Sequence, residues 1–318
     1  MILNSSENNT GILGSGFGLY GYLPAIVLND DSAAVFLLNK DRYKFEDRSE
    51  LADFKDNIHW ADEDTFYKQI NTLVVCLSPE GQFLAVIRAL AHANIKNLLL
   101  EKPLAVNTSK ANELLSSLIK STKNYRIGYN FQYTTWGKSL LAELNDFTPK
   151  VIRIGWNFFA NHFAKDLETW KRYNKTGGGV IRFYGIHLIA LFAHANSCEI
   201  LSSVCLCYSD EEIYKWQTTL KVNQIHMVEI DLNSASADNK FTVEILGQSA
   251  MSIMNIADNL NDPFDEYLSI PAKQDRRVNV IKPILNSFKE HDQQYWNNVY
   301  KQVNYLWEQV ENINICTV

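Results

Sequence analysis

Thr10-Gly11-Ile12-Leu13 runs without a break into Gly14-Ser15-Gly16-Phe17-Gly18-Leu19-Tyr20-Gly21, and Tyr20–Leu28 beyond it has helical spacing. A short apolar strand, a glycine-rich turn and a helix, in that order, open a doubly wound α/β sheet. Working outward, Ala33–Leu38 (AAVFLL), Thr72–Leu77 (TLVVCL) and Asn97–Leu100 (NLLL) are continuous apolar runs of strand length. Helical patterns separate them: Phe83, Val86, Ile87, Leu90 and Ala91 recur at helix period between Glu80 and Ala93. Lys110–Ile119 reads as one more helix and Tyr125–Gly128 as a further short strand. Strands that do not alternate in and out, separated by helices, predict a parallel sheet covered on both faces.

Past about residue 125 the rhythm changes. Val151–Phe159, Ile200–Tyr208, Trp216–Val222, Ile225–Leu232, Lys240–Leu246 and Ala250–Met254 read as strands, several visibly alternating. Five of them follow one another with short connections, which predicts a mostly antiparallel, open sheet. Two helices stand against it, one from about Val180 to Ala195 and one from roughly Asn286 to Glu311. The expected fold class is α/β: an N-terminal Rossmann-type doubly wound domain over residues 1–125 and a C-terminal α+β domain over 126–318.

Length and composition agree with two globular domains. The 318 residues are 46% apolar and 21% charged, which excludes a disordered or collagen-like chain. Lysine plus arginine count 30 against 36 aspartate plus glutamate, a formal charge of −6 that does not favour a nucleic-acid coat. No stretch approaches the ~18–20 apolar residues of a membrane helix. MILNSSENNT has neither a basic nor an apolar signal region, so a cytoplasmic location is expected. The five cysteines, Cys76, Cys198, Cys205, Cys207 and Cys316, are an odd count with no CxxC pair, and Cys76 and Cys207, in apolar runs, read as reduced core residues. The histidines show no HExxH-type spacing, so no metal site is expected.

The glycine turn sits where a dinucleotide site belongs, glycine allowing the tight turn and close backbone approach to a pyrophosphate. Two registers fit: one starts at Gly14 and places Leu19 third; the other matches GxGxxG in full at Gly16, Gly18 and Gly21. The strand end at Leu13 favours the first. A glycine-rich turn without ligand is the plainer alternative. At the end of the second strand an acidic residue would hold a ribose hydroxyl. Asn39 stands there, with Lys40, Asp41 and Arg42 after it. The two cations tilt the expectation slightly toward NADP over NAD, although Asp41 could still reach a ribose. Ser78-Pro79-Glu80-Gly81-Gln82 and Glu101-Lys102-Pro103-Leu104 each follow a buried strand, at the carboxyl edge where ligands of such sheets collect.

These segments, GILGSGFGLYGYLPAI, VVCLSPEGQ, LLLEKPLAV, GYNFQY and GGGVIRFYGIHLIAL, resemble the glucose–fructose oxidoreductase/inositol dehydrogenase/MocA family of NAD(P)-dependent oxidoreductases. The resemblance implies a catalytic role for Lys102, between nicotinamide and substrate, where an ammonium can stabilise a developing alkoxide or act as base. With the loop reading, it implies cofactor contacts from Gly14, Gly16, Phe17, Gly18, Leu19, Asn39, Lys40, Arg42, Leu77, Ser78, Pro79, Gln82, Glu101 and Lys102. His187 matches the family's helix histidine, but Phe183 stands where the family carries aspartate four residues earlier. A lone histidine on an apolar helix is otherwise an ordinary core residue. Substrate contacts are implied for Lys102, for Asn130 and Gln132 in the GYNFQY strand, for Trp170, Arg172, Phe183 and Tyr184, and for His187.

The activity this implies is hydride transfer at a secondary alcohol carbon of a sugar or sugar derivative, with nucleotide-linked sugars preferred. Two other readings stay open: a non-catalytic NAD(P)-binding sensor, and an enzyme that uses transient oxidation for elimination or glycoside cleavage. The open second sheet suggests a homodimer or homotetramer. Neither nucleic acid nor a membrane is expected as a partner.

Overall fold

The computed structural model describes residues 9–247, 253–267, 274–290, 292–313 and 315–317. The first sheet contains β1 (Asn9–Leu13), β2 (Ala34–Leu38), β3 (Ile58–Ala61), β4 (Thr72–Val75), β5 (Asn97–Leu100) and β6 (Asn124–Ile127). All are parallel, in the order β3-β2-β1-β4-β5-β6, so the chain reverses direction of travel between β1 and β4. Its helices are α1 (Leu23–Asn29), α2 (Arg42–Glu46), α3 (Glu63–Gln69), α4 (Pro79–Leu90) and α5 (Thr108–Lys120).

Local sequence explains where several of these helices begin. Asp62 accepts from the Thr65 amide at 2.8 Å, and Glu63 and Asp64 fill the first turn of α3. Ser78 caps α4, with Pro79 at its first position, where a missing N–H costs nothing. The strand β3 (IHWA) escapes the apolar-run reading because His59 interrupts it and its first three residues are only half-buried.

The second sheet has β7 (Val151–Phe159), β8 (Cys198–Ser209), β9 (Glu212–Val222), β10 (His226–Asn233), β11 (Ala235–Leu246), β12 (Ile253–Leu260) and β13 (Ile315–Thr317). Its order is β12-β11-β7-β10-β9-β8-β13. Pairing is antiparallel except for β10 with β7 and β13 with β8. Residues 250–252 of the expected Ala250–Met254 strand lie outside the described residues, and β12 begins at Ile253. Helices α6 (Thr135–Leu144), α7 (Asn161–Ala164) and α8 (Ile186–Phe192) belong with this sheet.

The terminal helical stretch departs from expectation. Instead of one helix over Asn286–Glu311 there are two, α9 (Val278–Glu290) and α10 (Gln293–Ile313). Asp292 accepts from the Tyr295 amide at 2.9 Å and so caps a new helix. His291 lies outside the described residues. One face of α10 is buried through Val299, Tyr300, Val303, Leu306, Trp307 and Val310, at the spacing of a packed helix.

Contacts divide the chain into two compact units: 1–105, 113–130 and 267–296 in the first, and 106–112, 131–266 and 297–318 in the second. A single cut after residue 125 therefore misses the return of 267–296 to the first unit. The physical tie is Arg126 of β6, whose fully buried guanidinium donates to the Ser287 hydroxyl at 3.0 Å and carbonyl at 2.7 Å. The same group lies between the rings of Phe288 and Trp296, at 4.9 and 4.8 Å. Cys76, Cys198, Cys205 and Cys207 are free thiols. Among the described residues no helix is long and apolar enough to cross a membrane, and no three His, Cys, Asp or Glu side chains cluster as metal ligands.

Candidate functional site

In the first unit, β1 ends at the glycine turn. Gly14 has φ +112°, and a side chain there would stand 2.3 Å from the Cys76 carbonyl oxygen. Gly18 and Gly21 are needed for packing, since a β-carbon would meet Ile12 at 2.8 Å and the Phe17 ring at 2.2 Å. Gly16 differs. It is exposed, and a β-carbon there would have nothing within 4 Å. The protein's own packing gives no reason for glycine at 16, whereas a ligand backbone lying on the loop does. Phe17 and the buried Leu19 flank this turn on its inner side.

Beside the turn opens a cavity of about 520 Å³ lined by Leu13, Gly14, Ser15, Leu38, Lys40, Asp41, Lys44, Glu63, Tyr67, Cys76, Leu77, Ser78, Leu84, Ala85 and Arg88. Its floor is the carboxyl edge of β1, β2 and β4. One wall is apolar, and its rim carries three cations. Lys44 donates to Ser15 Oγ at 2.8 Å and stands 4.0 Å from Asp41. Arg88 lies over the Tyr67 ring at 4.5 Å and pairs with Glu63.

Of the residues expected at the cofactor, Gly14, Lys40, Leu77 and Ser78 line this cavity, while Asn39 and Arg42 do not. Arg42 lies over the Trp60 ring at 5.3 Å and 3.5 Å from Glu46. Lys44, Tyr67 and Arg88 were missed by sequence reading. Lys44 follows Arg42 by two residues and continues the same cationic run; Tyr67 and Arg88 carry no local signal. The apolar wall and cationic rim suit an adenine ring and phosphates, so the cavity fits a dinucleotide.

Strand β5 delivers Glu101-Lys102-Pro103 to the same carboxyl edge, with the Glu101 amide donating to Val75 O at 3.1 Å. Gln82, expected as a cofactor contact, is buried and turned inward instead. Its Nε2 donates to the carbonyls of Glu101, Pro103 and Leu104 at 2.7, 3.2 and 3.2 Å, and its Oε1 accepts from the Glu101 amide at 2.8 Å. Pro79 likewise serves α4. The Lys102–Pro103 peptide is cis.

The Glu101 carboxylate accepts from the Tyr22 hydroxyl at 2.6 Å. Burial pushes the Glu101 carboxyl above its usual range, opposed by Lys102, Tyr22 and Arg277. Burial and the Glu101 charge together hold the Tyr22 phenol protonated, and the Cys76 thiol is raised by the same causes. Lys102 itself is half-buried.

In the second unit, Gly177 and Gly179 have φ +88° and +78°, and a β-carbon on Gly178 would strike the Trp170 carbonyl at 2.2 Å. The chain then makes a π-helical turn over Val180–Gly185 and continues as α8. His187, in the first turn of α8, is buried with its ring stacked on Phe131 at 4.8 Å. Phe183 builds an aromatic shelf, edge-on to Trp170 at 5.4 Å and Tyr184 at 4.7 Å, with the Lys171 ammonium over its face at 5.2 Å. Tyr184 packs in turn against Trp156, Phe158 and His162. Burial, then Arg172 and Lys171, push His162 down to about 4, so it is neutral near pH 7.

Arg172, expected to face a substrate, is instead engaged by Asp166 at 2.8 Å and Glu212 at 2.9 Å. Asn130 and Gln132 are not on a strand: β6 ends at Ile127, and Asn130–Tyr133 is a single 3₁₀ turn. The chain turns there because Thr134 caps α6, its hydroxyl accepting from Gly137 N at 3.0 Å.

Residues 8–129 match the family model described as "Oxidoreductase family, NAD-binding Rossmann fold", GFO_IDH_MocA. The whole chain shares its fold with an oxidoreductase from Thermotoga maritima, at 16% identity and TM-score 0.70, covering 95% of each chain. KijD10, a 3-ketoreductase from Actinomadura kijaniata in complex with NADP and TDP-benzene, aligns at 12% identity and TM-score 0.67 over 98% of this chain and 99% of that one. The UDP-N-acetylglucosamine 3-dehydrogenase GnnA from Acidithiobacillus ferrooxidans aligns at 15% identity and TM-score 0.64, over 96% and 98%. No curated protein matches the sequence. Residues 8–129 thus carry the NAD-binding Rossmann fold of that oxidoreductase family, and the chain shares its fold with oxidoreductases solved with NAD or NADP.

Proposed function

We propose that the protein carries out reversible hydride transfer between NAD(P) and a secondary alcohol carbon of a sugar derivative, preferably nucleotide-linked. The observation that carries this reading is Gly16, a glycine with no packing duty, beside a dinucleotide-sized cavity and a braced Glu101-Lys102-Pro103 turn. NAD(P), when bound, supplies or takes up the hydride. The chain's own residues do the rest. Gly16 leaves room for the pyrophosphate, Gly14 and Gly18 shape the turn whose backbone contacts it, and Phe17 and Leu19 support that turn. Lys40, Lys44 and Arg88 favour an extra phosphate at the ribose and hence NADP.

Lys102 hydrogen-bonds the reacting oxygen and stabilises its developing charge, while Gln82 and Glu101 hold the turn that presents it. His187 holds or relays the proton at that oxygen. Phe183, Tyr184 and Trp170 offer aromatic faces to a sugar ring, a surface suited to C–H contacts. The sugar class is supported by the names of the neighbours, a 3-ketoreductase and a UDP-N-acetylglucosamine 3-dehydrogenase. A homo-oligomer built on the second sheet is part of the same proposal.

A screen of sugars and nucleotide sugars by nicotinamide absorbance, with Lys102→Ala beside wild type, tests the reading. Turnover in wild type and its loss in the variant are expected. Cofactor binding without turnover on any substrate favours the sensor reading, to which Phe183 in place of a carboxylate lends support.

A further inference from the structure

The glycine turn is held from a distance. Phe17 sits between Gly16 and Gly18, and its ring rests where a Gly21 side chain would be. Tyr20 and Tyr22 meet the same ring edge-on at 5.3 and 5.2 Å. On its open side lies a cation that belongs to a segment 260 residues further along the sequence. The Arg277 guanidinium stands 4.0 Å from the Phe17 ring centroid, with Tyr20 at 5.8 Å. Arg277 is itself fixed by Asp275, which accepts from Nε at 2.8 Å and Nη2 at 2.7 Å. A planar guanidinium held as a fork by one carboxylate keeps its face free to stack.

We propose that Arg277 is a positioning residue for the dinucleotide turn, acting through Phe17 to fix the Gly16–Gly18 backbone in its cofactor-binding shape. The inference rests on the reading of that turn as the NAD(P) site. Its logic is preorganisation. An exposed glycine at 16 and a second glycine at 18 leave the turn free to sample other shapes, and ordering it on binding would cost affinity. Clamping Phe17 removes that cost in advance. The side chains of Phe17 and Arg277 need not touch the cofactor for this to work, so their effects on affinity must be coupled.

The test is a double-mutant cycle read by cofactor titration with NAD and NADP, following intrinsic fluorescence, on wild type, Arg277→Met, Phe17→Leu and the double variant. Arg277→Met is expected to weaken cofactor binding by about 3- to 30-fold, the range of one stacked cation–aromatic contact. Phe17→Leu should weaken it comparably, and the double variant should bind no worse than Phe17→Leu alone. In steady-state assays the loss should appear in the cofactor KM more than in kcat. Arg277→Lys keeps the charge without the planar face and should recover only part of the affinity; it also decides the question should Arg277→Met fail to fold. Unchanged affinity in Arg277→Met or Arg277→Lys, or effects that simply add in the double variant, would overturn the inference. A wild-type protein that binds neither NAD nor NADP would instead defeat the reading of the site itself.

Discussion

Gln82 holds Glu101 by both of its backbone polar groups: its side-chain oxygen accepts from the Glu101 amide at 2.8 Å and its nitrogen donates to the Glu101 carbonyl at 2.7 Å. A single side chain from α4 thus closes the turn that carries Lys102. The amide is 1% exposed, so no water can replace it.

Replacing Gln82 with leucine keeps the volume and removes the donor to the Glu101, Pro103 and Leu104 carbonyls, while the Glu101 amide keeps Val75 O. The expected cost is about 2–3 kcal/mol, as for buried polar groups left unpaired. Urea denaturation of the cofactor-free protein measures it, and turnover should fall further than stability alone explains. A variant as stable as wild type would show that the clamp is dispensable.

Glu101 gives the molecule a pH signature. Its carboxyl is raised above the ordinary value of 4.5, chiefly by burial. A group raised in the folded state contributes stability that is full below the unfolded value and is lost as pH rises through the folded value. Stability should therefore fall as pH climbs from about 4.5. Glu101→Gln, which cannot ionise, should remove that part of the slope. Parallel pH–stability curves for the two proteins would contradict the assignment.

The glycines separate folding from binding. Gly16→Val should leave thermal unfolding of the cofactor-free protein near wild type, since its β-carbon meets nothing within 4 Å, yet weaken NAD(P) binding at least tenfold. Gly21→Ala should do the reverse first, destabilising the fold by about 1–3 kcal/mol through the Phe17 ring. Equal effects of both on stability would remove the case for a ligand at Gly16.

In the second unit the turn bearing Phe183 is anchored from α10. Arg182 donates to both carboxylate oxygens of Glu311 at 2.6 and 3.0 Å, and to the carbonyls of Val106 and Asn174. Trp307 shares the same carboxylate at 2.8 Å. Glu311→Ala removes the acceptor for two largely buried donors and should cost about 2–3 kcal/mol in chemical denaturation. Arg182→Lys should also be less stable than wild type because an ammonium cannot reproduce the fork.

What could be read from the sequence was local chemistry. The glycine turn declares itself because a strand, three glycines and a helix fall within twenty residues, and Lys102 because its tripeptide ends a buried run. Gln82 looked like a cofactor contact because its partners, 19 residues on, become neighbours only when β4 and β5 pair. Arg277 and Tyr22 were invisible for the same reason. The strand β3 was lost to its half-buried face, and Asn130 and Gln132 were placed on a strand that the cap at Thr134 turns into a 3₁₀ helix. Arg172 appeared available because one of its anionic partners, Glu212, lies 40 residues away on β9 and another, Asp166, is brought to it only by the fold of the intervening loop.

The most direct test of the central claim is nicotinamide absorbance during incubation of the purified protein with NADP or NAD and a panel of nucleotide sugars, wild type beside Lys102→Ala. Wild type should reduce or oxidise the cofactor with at least one sugar. Lys102→Ala should lose at least a hundredfold in kcat, within the range for a removed acid–base or charge-stabilising group, with cofactor binding retained. Undiminished turnover in Lys102→Ala would contradict the claim.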